Sequence, residues 1–163
     1  MRALALLSLV VLVGVAAWLV ADRTTTSDDV DVFDRQGLVT RVVDGDTLRA
    51  RIGGSTERVR LIGIDAPERG ECYSTRSTAL LRGMAEGTVV RILGDATQQA
   101  RDRFGRLLAY VVLPDGIDAG RVLLVRGAAL VFETRSAFAR HDAYAEAQAS
   151  AERGAVGLHG ACR

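Results

Sequence analysis

Residues 47–52 alternate apolar and polar positions at the period of a β-strand. Leu48, Ala50 and Ile52 are interleaved with Arg49 and Arg51, which places apolar side chains on one face and guanidinium groups on the other. Residues 38–43 and 58–64 are similarly β-rich, and Gly53-Gly54-Ser55-Thr56 supplies turn chemistry between the second and third runs. Strands over 47–52 and 58–64 are therefore expected to pair as an antiparallel hairpin. Over 73–86 the period changes, with Leu80, Leu81, Met84 and Ala85 at helical spacing and Gly87 as the stop. Two more β-rich runs follow at 88–93 and 106–113, the latter ended by Pro114-Asp115-Gly116. Asp118 is placed to cap a short helix carrying Ala119, Val122 and Leu123, and the alanine-rich stretch 136–153 predicts a final helix ending at Gly154.

The resulting order, βββ-α-ββ-α-α, predicts an α+β, mainly β domain. Five strands with one helix after the third suit a small closed barrel of the OB type, with two C-terminal helices packed outside it. A ferredoxin-like sheet would need a crossover helix between the first two strands, and none fits there. Ahead of the domain, 19 uncharged residues from Ala3 to Ala21 form a hydrophobic helix long enough to span a bilayer. Residues 1–21 read as a retained signal anchor or a cleaved signal peptide. Either leaves the rest extracytoplasmic, membrane-anchored or secreted. Residues 22–36, with five acidic residues, read as a solvated linker, and 37–163 as the folded domain.

With 163 residues, two prolines and 48% hydrophobic residues, the chain has enough apolar surface for one core and is neither disordered nor collagen-like. A net charge of +1 excludes nucleic-acid binding by bulk charge alone. All 21 basic residues are arginine, so lysine-based covalent catalysis is excluded. Between positions 37 and 163, 18 arginines face 15 acidic residues, which favours a locally bound anion. Cys72 and Cys162 are the only cysteines. In an exported domain the pair is expected to be an intramolecular disulfide, stabilising by roughly 4–5 kcal/mol on the chain-entropy account.

Acidic residues concentrate in Asp44-Gly45-Asp46-Thr47, before the second strand, and in Asp65-Ala66-Pro67-Glu68, after the third. Asp46 and Asp65 are mirrored about a centre inside the Gly53-Gly54-Ser55-Thr56 turn, so the hairpin is expected to bring Asp46, Asp65 and Glu68 to one mouth of the barrel. Converging carboxylates repel unless a cation intervenes, and all-oxygen donors select a hard ion such as Ca²⁺ or Mg²⁺. His141 and His159 lie far along the chain, which disfavours zinc. Arg60 is pointed by alternation away from the face shared by Val59 and Leu61, and Arg106 opens the fifth strand. Carboxylates holding a cation, with guanidinium groups beside them, provide what phosphodiester hydrolysis needs: charge neutralisation, bidentate oxygen contacts and a base for water.

The blocks Val42-Val43-Asp44-Gly45-Asp46-Thr47, Val59-Arg60-Leu61-Ile62-Gly63-Ile64-Asp65-Ala66-Pro67-Glu68 and Asp102-Arg103-Phe104-Gly105-Arg106-Leu107-Leu108-Ala109-Tyr110 resemble, in order, the three signature blocks of the staphylococcal nuclease-like (thermonuclease) family. The similarity extends more loosely from about Leu38 to Gly160. The resemblance implies an OB barrel and Ca²⁺-dependent hydrolysis of DNA and RNA, preferring single strands, to 3′-phosphate products. It implies that Asp46 and Asp65 bind the ion by carboxylate and Ala66 by its carbonyl, that Glu68 is the general base, and that Arg60 and Arg106 grip the scissile phosphate. Asp44 builds the turn. The expected partners are DNA and RNA as substrates and, if the N-terminal helix is retained, the membrane, with the chain acting as a monomer.

The chain departs from the family pattern in three places. Ala66 stands where threonine is expected, which matters little if only its carbonyl binds. Four residues, Arg69-Gly70-Glu71-Cys72, separate Glu68 from Tyr73 where the family's best-known member has a longer mobile loop, and Phe132 and Glu133 occupy the region of the nucleotide-pocket tyrosines. Phe104 and Tyr110 are candidate stacking or wall residues, although lone aromatics in or beside a strand more often belong to the core, and they are left out of the site. The alternative function is a noncatalytic OB module that binds nucleic acid or an envelope partner; retention of all five functional side chains argues against it.

Overall fold

A computed structural model describes residues 32–134 and 137–162. The N-terminal apolar segment and residues 22–31 of the acidic stretch lie outside the described residues. The expected barrel is present. Five strands close in the order β1 (Asp34–Val42), β2 (Thr47–Ile52), β3 (Ser55–Leu61), β6 (Leu107–Val112) and β5 (Val89–Leu93), with β5 returning to β1. Every pairing is antiparallel except β3 with β6, which runs parallel through Val59↔Leu107 and Leu61↔Ala109. The alternation read in the sequence is the inside and outside of this barrel: Leu48, Ala50, Val59 and Ile92 are fully buried, whereas Arg49, Arg51 and Arg58 face solvent. The interior is narrow enough that a Cβ on Gly37 would lie 2.9 Å from Ile52 and Ile92 side-chain atoms.

Helix α1 (Ser74–Ala85) follows the barrel's first three strands and buries Leu81 and Ala85. Helix α2 (Ala119–Val125) is capped by Asp118, whose carboxylate accepts from the Gly120 and Arg121 N–H groups, and buries Leu123 and Leu124. Helix α3 (His141–Arg153) packs Tyr144, Ala147 and Ala151 inward, and α4 (Leu158–Ala161) ends the described chain. Cys72 and Cys162 are joined by the expected disulfide, with Cα atoms 5.7 Å apart. It ties α4 to the segment between Glu68 and α1.

Four boundaries differ from the sequence reading, each for a local reason. Strand β1 begins at Asp34 instead of residue 38, because residues 34–38 pair with β5. The run expected to be a strand through residue 64 breaks after Leu61: Gly63 adopts φ 73°, and a Cβ there would strike the Phe138 ring at 2.5 Å. The chain then forms a separate two-stranded sheet, β4 (Ile64–Asp65) with β7 (Leu130–Val131). The β2–β3 turn uses only Gly53 and Gly54, both at positive φ, so Ile52 pairs with Ser55 and Thr47 with Arg60. Helix α3 begins at His141 instead of residue 136, because Phe138 is spent on the core, 3% exposed against Gly63 and Tyr144, and α4 follows it as a helix beyond the two expected at the C-terminus.

Candidate active site

The turn between β1 and β2 aims Asp46 inward. The Val43 N–H donates to the Thr47 carbonyl (2.9 Å), and the Asp44 carboxylate accepts the Asp46 N–H (3.2 Å). Gly45 is required between them: a Cβ would lie 2.5 Å from the Ala66 Cβ and 2.8 Å from the Ser77 Cβ. The turn, the Asp65-Ala66 segment and α1 thus close together around a residue without a side chain.

The shorter turn changes how the acids meet. Asp46 lies opposite Leu61, whose N–H donates to the Asp46 carbonyl at 2.9 Å, and Asp65 reaches the site only after the chain has left the barrel for β4. What joins them is Arg60. Its Nη1 donates to the carbonyls of Ile64 (2.6 Å) and Leu61 (3.0 Å), and its Nη2 lies 2.7 Å from Asp65 Oδ1 and 3.2 Å from Asp46 Oδ2. With only 12% of its side chain exposed, this guanidinium is fixed in place by four oxygens.

Asp46 is 7% exposed. Its carboxylate also accepts from the Ala66 N–H (2.8 Å) and the Thr47 hydroxyl (3.0 Å). Burial pushes its pKa up to about 6, against the pull of Arg60 and the Ala66 N–H and with a further push from Asp44. Asp46 and Asp65 share a single guanidinium nitrogen, so negative charge is in excess. The two carboxylates offer only hard oxygens, which suit a divalent cation of the Ca²⁺ or Mg²⁺ type.

The expected convergence of three carboxylates reduces to this pair. Among the described residues no three His, Cys, Asp or Glu side chains lie close enough together to hold an ion. Glu68, past Pro67, is exposed, and its N–H donates to Glu71 Oε2 at 2.7 Å. It lines a hollow of about 360 Å³ with Asp65, Ala66, Glu71 and the two disulfide cysteines.

Arg106 lines the same cleft as Arg60, about 190 Å³ in volume, together with Ile64, Asp102 and Phe132. Asp102 orients it, accepting Nε at 2.6 Å and the Arg106 backbone N–H at 2.9 Å, which leaves both terminal amino groups for the cleft. Although burial opposes it, these hydrogen bonds and that of the Phe104 N–H hold the Asp102 carboxyl below its ordinary value. The four-residue spacing of Asp102 and Arg106 was the available signal for this pairing. Tyr110 is buried as expected, but Phe104 is not a core residue: it is 65% exposed, with the Arg103 and Arg106 guanidinium carbons 4.7 and 5.5 Å from its ring centre. The glycine at 105 turns the loop outward there, with φ 74°. Phe132, half exposed, lines the cleft in the region where the resemblance placed the nucleotide-pocket tyrosines.

Known proteins share this framework. The family model described as staphylococcal nuclease homologue matches residues 58–159. The "Uncharacterized endonuclease" of Escherichia coli is 38% identical over 100 residues, covering 61% of this chain and 63% of that protein. The "Micrococcal nuclease" of Shigella flexneri is 33% identical over 106 residues, covering 65% and 59%, and the "Thermonuclease" of Staphylococcus intermedius is 32% identical over 116 residues, covering 68% of each. The chain thus spans just under two thirds of the length of the first two of these relatives. A family match over more than half the chain makes it a member of the staphylococcal nuclease homologue family.

Proposed function

We propose that this protein is a Ca²⁺-dependent nuclease that hydrolyses phosphodiester bonds of DNA and RNA, preferring single strands, and leaves 3′-phosphate ends. The observation that carries the reading is Arg60, held by two carboxylates and two carbonyls and sharing one cleft with Arg106. The names of the nuclease relatives support it.

In this reading Arg60 and Arg106 bind the non-bridging oxygens of the scissile phosphate and hold the added negative charge of the five-coordinate transition state. Glu68 takes a proton from the attacking water as its oxygen bonds to phosphorus. The bond from phosphorus to the 5′ oxygen breaks, and that oxygen takes its proton from a solvent water as it leaves. A calcium ion held by Asp46, Asp65 and the Ala66 carbonyl would supply charge neutralisation at the phosphate. The cleft admits a backbone whose bases are unpaired more readily than a duplex, and Phe132 on its wall offers an apolar face. Export, through an anchor or a signal in residues 1–21, is supported by the apolar run there and by the disulfide, since such bridges persist in oxidising compartments.

The test incubates the full chain with single-stranded DNA and RNA, with Ca²⁺ or with a chelator, and analyses the product ends. Calcium-dependent cleavage to 3′-phosphates is expected, with Glu68→Gln slower by about 10²–10⁴-fold at unchanged melting temperature. Binding without cleavage would instead favour a noncatalytic module.

A further inference from the structure

The outward face of the barrel beside the site carries a row of arginines that the fold does not neutralise. In the β1–β2–β3 register Arg41 is paired with Arg49, and Arg49 in turn with Arg58. Residues directly opposite one another on neighbouring strands project to the same side, so three guanidinium groups stand abreast. All three are exposed, and none makes an ion pair or side-chain hydrogen bond among the described residues. Like charges directly opposite cost stability in a sheet. A bulge in β1 between Val39 and Arg41 helps set this alignment.

Arg41 also opens a groove of about 300 Å³ lined by Arg69 and Arg82 and by the Thr75, Thr78 and Ala79 face of α1. Positions 75, 78, 79 and 82 form one stripe along that helix, about 10 Å long. Arg69 is likewise without a partner among the described residues, and Arg82 has only a 3.6 Å approach to Glu86 at the surface. One carboxylate, Asp44, lines the groove. The groove adjoins the candidate site directly: Asp44 belongs to the turn that carries Asp46, and Pro67 lies between Ala66 and Glu68. The row approaches it from the other side, since Arg58 is two residues from Arg60 on β3.

We propose that this surface, Arg58, Arg49 and Arg41 leading into the groove of Arg69 and Arg82, is the track for the phosphodiester backbone of a nucleic-acid strand outside the scissile cleft. It rests on the nuclease reading and adds to it a preference for polymers over dinucleotides. A chain of phosphates at about 3.4 Å per nucleotide along a stacked strand would set about three nucleotides along the stripe, and needs no base recognition. Guanidinium groups suit phosphate oxygens through two-pronged contacts.

The experiment uses the full chain and the variant Arg41→Gln/Arg49→Gln/Arg58→Gln, none of which belongs to the proposed catalytic set. Binding of a fluorescent single-stranded 20-mer is followed by anisotropy in chelator, so that no cleavage intervenes, across a salt series. The slope of log affinity against log salt is expected to fall by about 2 in the triple variant, from about 0.7 per lost phosphate contact. In Ca²⁺, KM for the 20-mer should rise about tenfold while cleavage of a thymidine dinucleotide is unchanged, and the variant should melt no lower than the parent. An unchanged slope and KM would overturn the track, as would polyglutamate of equal charge competing as well as the 20-mer. If the parent cleaves neither substrate but the slope falls as stated, the nuclease reading fails and the track stands.

Discussion

Two aspartates with little exposed surface, Asp46 the more deeply enclosed, are held in opposite ways. Asp95, 6% exposed, accepts the Thr97 N–H and hydroxyl and the Ala139 N–H, each at 2.8 Å, and a short hydrogen bond from the Tyr110 hydroxyl. Burial works to raise its pKa, but the hydrogen bond from Tyr110 and those from Thr97 and Ala139 outweigh it and hold the carboxyl below the usual value. Asp46, 7% exposed, has two good donors, a 3.2 Å approach to a guanidinium it shares with Asp65, and Asp44 as a neighbour, and its pKa is pushed up to about 6. A carboxylate with every lone pair satisfied is a structural joint; one left short of positive charge has capacity for a cation.

The same contrast holds for the arginines beside them. Arg140 lies 4.1 Å from the Tyr110 ring centre, pairs with Asp118, and so fastens α3 to the barrel and to the α2 cap. Arg60 is held as firmly but lines a cleft. Replacing each by lysine separates the two roles. Arg60→Lys is expected to slow cleavage about 10²–10³-fold, the loss for one transition-state donor, because an ammonium cannot serve the carbonyls, the carboxylates and a phosphate together. Arg140→Lys should leave the rate per folded molecule unchanged and lower only the melting temperature. Equal rates for both variants, from initial velocities at saturating DNA, would erase the distinction.

Much of this was readable in the chain because the relevant patterns are local. Alternation around Arg60 places it on the outer face, and Asp44-Gly45-Asp46 announces a turn that Gly45 alone can make against Ala66 and Ser77. The five barrel strands follow from the same periodicity. What escaped depends on distant partners. Strands β4 and β7 have two residues each, too few for any period, yet they deliver Asp65. The register of the β2–β3 hairpin hinged on whether Ser55 and Thr56 belong to the turn or to the strand, and the positive φ of Gly53 and Gly54 decided it. The sequence around Phe104 does not say that Gly105 turns the loop into solvent, nor does an alanine-rich helix reveal that Phe138 is claimed by the core before α3 starts.

The aspartates themselves give a test that does not need turnover. At calcium near 100 times its dissociation constant the parent should gain about 2.7 kcal/mol of stability. Asp46→Asn is expected to lose that gain and to keep the parent's stability in chelator, since it removes a desolvated charge. Asp95→Asn should do the reverse, keeping the calcium gain and losing about 2–3 kcal/mol in chelator as a charge-assisted network is broken. Urea unfolding with and without calcium distinguishes the two. A calcium gain retained by Asp46→Asn would remove Asp46 from the metal site.

The smallest effect isolates one bond of the structural joint. Tyr110→Phe deletes the hydroxyl that donates to Asp95 and keeps the ring beneath Arg140 and edge-on to Tyr144, whose centre is 6.2 Å away. The cost at neutral pH should be about 1.5–2 kcal/mol, the lower part of the range for a hydrogen bond to a charged group. Its pH dependence follows from the direction of the Asp95 shift. A carboxyl whose folded pKa lies below the unfolded value of 3.8 contributes stability that is present above that value and is lost as pH falls through the folded one. The gap between parent and Tyr110→Phe should therefore be constant from pH 7 to about pH 5 and narrow in more acidic solution as Asp95 takes up a proton. Because the Asp46 cleft is untouched, calcium-dependent stabilisation should be the same in both proteins. A gap that widens below pH 4 would mean that the Tyr110 hydroxyl does not act through the Asp95 charge.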